Sequence, residues 1–226
     1  MRTLLCSQKV YDNEPVLPSR CYGEITNSRV LDIGCGTGNL GKFLKQQGNQ
    51  CFGITVSGEE AEMARKKLDG VAVVDVEIAE ALPFQKEYFD VIILADVLEH
   101  LRDPVHILKL VKQYLRPSGW LIVSIPNVAN LIIRINLLRG RFDYDRVGIL
   151  DSTHLRFYTM KSACSLLTST GYEIKETKFT NTNWRFPKWI AKPLCSYEWE
   201  IRERMTRWWP SLLATQFVFY AKAVSR

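Results

Sequence analysis

The segment Val30-Leu31-Asp32-Ile33-Gly34-Cys35-Gly36-Thr37-Gly38-Asn39 constrains the fold more than any other part of the chain. Four apolar-patterned residues run into three glycines spaced two apart, and a helical pattern follows. Glycine lets a backbone turn tightly and lets a ligand approach it closely, so a strand–glycine turn–helix unit is a ligand-holding device. The dinucleotide fingerprint asks for Gly-x-Gly-x-x-Gly. Here that third position is Asn39, and Gly38 falls one residue early. Asp32 stands at the strand end just before the first glycine. A carboxylate there repels a pyrophosphate and suits a ligand that carries an ammonium group.

The surrounding pattern is that of a parallel sheet. Short β-rich runs at Arg29–Ile33, Cys51–Thr55, Val71–Val74, Phe89–Leu94 and Trp120–Ile125 alternate with helical stretches at Leu40–Gln47, Glu59–Leu68 and Val105–Leu115. Ser57 caps the second helix, with Glu60 as its capping-box partner, and Asp103-Pro104 opens the third. Pro117-Ser118-Gly119 reads as a turn into the fifth strand. After Pro126 the character changes. Val128–Leu138 reads as a helix, Arg139–Phe157 as a long polar and aromatic loop, and Met160–Ser169 as a helix stopped by Gly171. Tyr172–Phe179 and Gln216–Val224 are the last two strands. Between them, 183–213 holds five of the six tryptophans and reads as a helical insertion.

In its order of motifs, Asp32-Ile33-Gly34-Cys35-Gly36-Thr37-Gly38 resembles motif I of the class I S-adenosylmethionine-dependent methyltransferases. The resemblance spans about residues 29–179, and Thr153-His154-Leu155-Arg156-Phe157 is similar to a segment of a bacterial subgroup of that family. It implies an α/β fold, a Rossmann-like seven-stranded sheet with helices on both faces. It further implies one domain over residues 1–226: an N-terminal segment 1–28, a cofactor half 29–125 and a substrate half 126–226. The implied cofactor is S-adenosylmethionine, with Gly34, Cys35, Gly36, Gly38 and Asn39 passing under its methionine part and Asp32 holding its amino group. Asp75 and Val76 match the positions that meet the adenine; Asp96 and Val97 match those lining the methionine end. In the family an acid ends the second strand and takes both ribose hydroxyls. Here Thr55 stands in that place, followed by Val56, and a hydroxyl cannot act as a two-oxygen acceptor.

Methyl transfer from a sulfonium needs in-line positioning and, for a hydroxyl acceptor, somewhere for the proton to go. Of the three histidines, His106 is expected to be structural or exposed, while His100 and His154 are the candidate catalytic side chains. Asp151 stands three residues before His154, where it would orient that ring; Arg156 would hold an anionic part of the acceptor. Asp96-x-x-Glu99-His100 is similar to a pattern that contributes to a divalent-metal site in ubiquinone-pathway O-methyltransferases and small-RNA 3′-end methyltransferases, the latter adding a later histidine, a part for His154. The same Glu-His pair is widespread in metal-free members, and no metal is expected.

The expected function is methylation of a small or medium-sized metabolite, O-methylation before N-methylation. The alternatives are a non-catalytic S-adenosylmethionine-binding module, a metal-assisted O-methyltransferase, and an NAD-dependent oxidoreductase against which Asp32 and Asn39 argue. The chain has 226 residues, 46% of them hydrophobic, enough for a full core, and a net charge of +6. Its late arginines read as solvated faces, and nothing resembles a sequence-reading nucleic-acid module. No apolar run approaches the ~20 residues that span a bilayer. The N-terminal apolar run is too short for a signal peptide, so the expected setting is cytoplasmic, with no stable membrane insertion. The tryptophans of 183–213 leave binding to a lipid surface open. The six cysteines form no C-x-x-C pair and read as reduced, mostly buried thiols.

Overall fold

The computed structural model describes residues 21–180 and 198–224. One seven-stranded sheet runs through them, in the order β3-β2-β1-β4-β5-β7-β6. The strands are β1 (Arg29–Ile33), β2 (Gln50–Thr55), β3 (Gly70–Val73), β4 (Phe89–Ala95), β5 (Leu115–Pro126), β6 (Tyr172–Thr180) and β7 (Gln216–Ala223). The first five are parallel, and β7 lies antiparallel between β5 and β6. The helices are α1 (Asn39–Lys45), α2 (Gly58–Arg65), α3 (Pro104–Lys112), α4 (Leu131–Leu138), α5 (Met160–Ser169), α6 (Glu198–Trp208) and α7 (Pro210–Leu213).

The period-2 pleat explains why both faces are apolar. On β1 and β4, Leu31, Ile33, Ile92 and Leu94 pack with Ile107, Leu108 and Val111 of α3 and Ala163 and Leu167 of α5. The alternate residues Val30, Val91 and Ile93 pack with Leu44 of α1 and Ala64 of α2 on the other face. A sheet covered on both sides places its ligand crevice beyond the carboxyl ends of its strands.

Local signals fix the helix ends. Ser57 caps α2 by accepting from the Glu60 N–H, and Asp103 caps α3 by accepting from the N–H groups of Val105 and His106. The capping box expected at α2 does not close, because the Glu60 carboxylate turns to Thr55 instead. The turn expected at Pro117-Ser118-Gly119 is part of β5. That strand advances from Leu115 to Trp120 while β4 advances only from Phe89 to Val91, so the proline and glycine sit in a bulge that leaves the ladder continuous. His106 is structural as expected, its Nε2 donating to the Ala79 carbonyl at 2.9 Å. Cys21, Cys35, Cys51 and Cys164 are free thiols, the first three buried. Cys6, Cys195 and residues 183–197 of the tryptophan-rich stretch lie outside the described residues, whereas α6 and α7 account for its later part. Among the described residues no helix is long and apolar enough to cross a membrane.

Candidate functional site

The glycine loop is shaped by its neighbours. The N–H groups of Gly34 and Cys35 both donate to the Ile54 carbonyl, at 2.8 and 2.9 Å, which ties the loop to the end of β2. Cys35 tucks in beside Gly53, where a Cβ would come within 2.5 Å of its sulfur. Gly34, Gly36 and Gly38 have φ of 75°, 53° and 79°, a region that side chains disfavour. From the end of α2, Lys67 Nζ donates to the Thr37 carbonyl at 2.8 Å and to Asn39 Oδ1 at 2.7 Å. Asp32 is 3% exposed, and burial pushes its carboxyl up to about pH 7.

A small pocket, open to solvent, lies at the carboxyl ends of β1, β2 and β4. Gly34, Thr55, Val56, Val76, Asp96 and Val97 of the expected cofactor set line it, together with His100. Asp32 lies in β1, Cys35, Gly36 and Gly38 lie in the loop that follows, and Asn39 opens α1; these five are not part of the pocket wall. Asp75 does not line the pocket either. It is exposed, and its Oδ1 accepts from the Glu77 N–H at 3.0 Å, so at this edge the wall is made by Val74 and Val76. Thr55 reaches the wall, but its hydroxyl donates to Glu60 Oε2 at 2.6 Å.

Asp96 is held unusually firmly. Its φ is 53°, a strained conformation for a residue with a side chain, which persists only where neighbours over-determine it. Ser124 Oγ accepts from the Asp96 N–H and donates back to Oδ1, and Gln216 Nε2 donates to both carboxylate oxygens at 2.7 and 2.8 Å. Ser124, Gln216 and Glu60 were not anticipated from the sequence. Gln216 lies 120 residues from Asp96, and only the insertion of β7 beside β5 brings them together.

The segment from Asp151 to Tyr158 lies over the turn at Leu98–His100. Leu155 and Arg156 both donate their N–H to the Glu99 carbonyl. Arg156, expected to hold an acceptor, instead donates to the carbonyls of Leu101 and Arg102 and clamps the two segments. Asp151, expected to serve His154, serves His100. Its Oδ1 accepts from the Thr153 hydroxyl at 2.7 Å, and the Thr153 oxygen lies 3.1 Å from His100 Nδ1. Because that hydroxyl has given its proton to Asp151, it can only accept, so His100 carries its proton on Nδ1. His154 Nδ1 lies 3.0 Å from the Ile149 carbonyl, which also only accepts, so His154 is protonated on Nδ1 as well. Both rings therefore present the Nε2 lone pair.

These lone pairs meet a third acceptor. Glu99, His100 and His154 have ligand-capable atoms all within 4.8 Å of one another. The rings lie edge to face at 4.8 Å, and His154 Nε2 is 4.0 Å from Glu99 Oε1. Both Glu99 carboxylate oxygens and His100 Nε2 are buried without a hydrogen-bond partner among the described residues. Burial pushes the Glu99 carboxyl well up and both imidazoles down.

The sheet order, the glycine loop at the end of β1 and the pocket beyond the strands define the class of S-adenosylmethionine-dependent methyltransferase folds. Solved structures agree. A methyltransferase from Methanosarcina mazei superposes with a TM-score of 0.62 at 18% identity, covering 92% of this chain and 98% of that one. One from Archaeoglobus fulgidus gives 0.57 at 22% identity, covering 86% and 85%. Residues 16–177 match the methyltransferase-domain family model, and the chain belongs to that family. The ubiquinone biosynthesis O-methyltransferase of Bordetella bronchiseptica is 30% identical over 141 residues, 54% of this chain and 57% of that protein. The Pasteurella multocida enzyme of the same name is 32% identical over 148 residues, 54% and 60% of the two chains. The chain thus spans a little over half the length of these relatives.

Proposed function

We propose that the chain methylates a hydroxyl oxygen of a small or medium-sized metabolite, with residues 29–125 holding the cofactor and 126–226 shaping the acceptor side. The observation that carries this reading is the pocket at the strand ends, in which the glycine loop, Asp96 and the His100 wall converge. The O-methyltransferase names of the relatives support a hydroxyl over an amine acceptor. Their biosynthetic names also support the cytoplasmic setting.

S-adenosylmethionine, when bound, supplies an electrophilic methyl group on its sulfonium. The protein's part is to orient and to handle a proton. Asp32 would offset the charge of the amino group from β1, and the strained, immobilised Asp96 would set the methionine end. The His100–His154 pair, through its Nε2 lone pairs, would take the proton that the acceptor hydroxyl gives up on methylation. Asp151, through Thr153, fixes the His100 tautomer so that its lone pair is on Nε2. His100→Ala and His154→Ala are expected to lower turnover by roughly 10²–10⁴-fold, with S-adenosylhomocysteine affinity unchanged. Alanine variants with normal melting and normal turnover would remove the pair from the reaction.

A second reading follows from the donor-free meeting of Glu99, His100 and His154. Buried acceptor atoms facing one another are unsatisfied until a proton on Glu99 or a cation joins them. Histidines whose Nδ1 is fixed by a carbonyl or a hydroxyl are oriented as metal ligands are. The donor set fits a divalent ion, which Glu99, His100 and His154 would hold and which would orient and acidify the acceptor hydroxyl. In this reading EDTA abolishes turnover and added Mn²⁺ or Zn²⁺ restores it; full activity in EDTA excludes it.

A further inference from the structure

We infer that Glu60, delivered from the first turn of α2, is the acceptor for the cofactor's ribose hydroxyls, and that Thr55 is a positioning residue for it. The inference rests on the proposed use of S-adenosylmethionine. It explains how a chain with a hydroxyl at the end of β2 meets a pair of vicinal hydroxyls.

A threonine hydroxyl has one proton to give. Thr55 gives it to Glu60 Oε2 at 2.6 Å, and its oxygen accepts from the Ser57 N–H at 3.3 Å. Thr55 itself is 4% exposed and has nothing left to offer as a donor. Its geometry instead fixes one oxygen of the Glu60 carboxylate. The other oxygen, Oε1, makes no hydrogen bond among the described residues. Glu60 is 8% exposed and lines the pocket together with Thr55, Val56, Val74 and Val76.

No ion pair reaches Glu60 among the described residues, and Lys67, just past the end of α2, is engaged with Thr37 and Asn39. A carboxylate that is largely buried, half hydrogen-bonded and without a counter-ion is costly unless a ligand donates to it. The start of α2 favours an acid in its first turn, which accounts for a negative charge there. Helix polarity does not account for the inward turn of the side chain, the Thr55 anchor or the place in the pocket wall. A Glu that served only the helix would complete the capping box with Ser57 and face solvent. The donors that suit the site are two adjacent hydroxyls, the one such pair that the cofactor carries.

The placement makes a reciprocal test available: the carboxylate can be moved to the end of β2. Titration calorimetry with S-adenosylhomocysteine and with its 2′-deoxy analogue should be run on wild type, Glu60→Gln, Thr55→Val, Thr55→Asp and the double variant Thr55→Asp/Glu60→Gln, each with a melting curve. Glu60→Gln is expected to weaken S-adenosylhomocysteine by roughly 10- to 100-fold, the scale of a hydrogen bond to a charged group. It should also lose the wild-type preference over the deoxy analogue. Thr55→Val should weaken binding several-fold by freeing the carboxylate. Thr55→Asp alone should bind worse than wild type, because two carboxylates in hydrogen-bonding reach cannot both ionise at no cost. The double variant should recover most of the affinity. Wild-type affinity and an unchanged preference in Glu60→Gln would overturn the assignment. If that variant does not fold, a double variant that binds no better than Thr55→Asp overturns it instead. A wild type that binds no S-adenosylhomocysteine would overturn the cofactor reading itself, a different result from either.

Discussion

Asp32→Asn should move stability and cofactor affinity in opposite directions. Asp32 is buried near the end of β1, its side chain makes no hydrogen bond among the described residues, and desolvation raises its carboxyl from 3.8 to about 7. Between those values the folded state binds a proton that the unfolded chain has released, so stability is fullest below about pH 4 and falls as pH rises through about 7. At about 1.36 kcal/mol for each pH unit of displacement, the ionised group costs at most about 4 kcal/mol at pH 8. Asparagine cannot ionise and avoids that cost. A gain of even 2 kcal/mol would raise Tm by about 4–8 °C in a domain of this size. The gain should be present at pH 8 and vanish near pH 4. Under the proposed function Asp32 is also the partner of the cofactor's ammonium, so the same substitution should lower affinity for S-adenosylhomocysteine by about 2–5 kcal/mol, the usual cost of truncating one member of a buried charge pair. Wild-type affinity should rise with pH up to about 7, as Asp32 becomes ionised, while the variant's stays flat. Scanning calorimetry at pH 4, 6 and 8, with titrations at the upper two, reads both effects. A variant no more stable than wild type at pH 8, or one that binds S-adenosylhomocysteine at full strength, would refute the reasoning.

Gly36→Val should abolish S-adenosylhomocysteine binding, because φ of 53° is a poor conformation for a β-branched residue and its side chain would fill space the ligand needs; unaltered titration would count against the loop as a binding element. Arg156→Ala frees the Leu101 and Arg102 carbonyls and should cost about 1–2 kcal/mol in denaturant melts; turnover should fall with it, since the Asp151–Tyr158 segment loses its clamp. Gln216→Leu removes both hydrogen bonds that Gln216 gives to the strained Asp96 carboxylate, and turnover should fall while S-adenosylhomocysteine still binds; an unchanged rate would mean that this network does not position the methionine end.

Much of the fold was legible because its signals are local. The β1–glycine turn–α1 unit, the Ser57 and Asp103 caps and the bounds of α5 follow from residues within one or two turns of each other. The bulge at Pro117-Ser118-Gly119 was misread because a proline and a glycine punctuate a turn and a bulge equally well. In the site, the glycine loop, Asp96 and His100 could be placed by motif, yet their partners could not. The pairing of Asp151 with His100 depends on how the Asp151–Tyr158 segment folds back over Glu99, and that of Gln216 with Asp96 on an antiparallel strand inserted late in the chain. Thr55 showed that the usual ribose acid was missing, and a Ser-x-x-Glu capping pattern concealed Glu60, since one short motif satisfies both readings.

The central claim is that the pocket at the strand ends takes an S-adenosyl ligand. Titration of the wild-type protein with S-adenosylhomocysteine and, separately, with NAD tests it most directly. Saturable one-to-one binding of S-adenosylhomocysteine with no heat from NAD is the result expected from the early Gly38, Asn39 and the buried Asp32. Tight NAD binding, or no binding of S-adenosylhomocysteine at millimolar concentration, would contradict it.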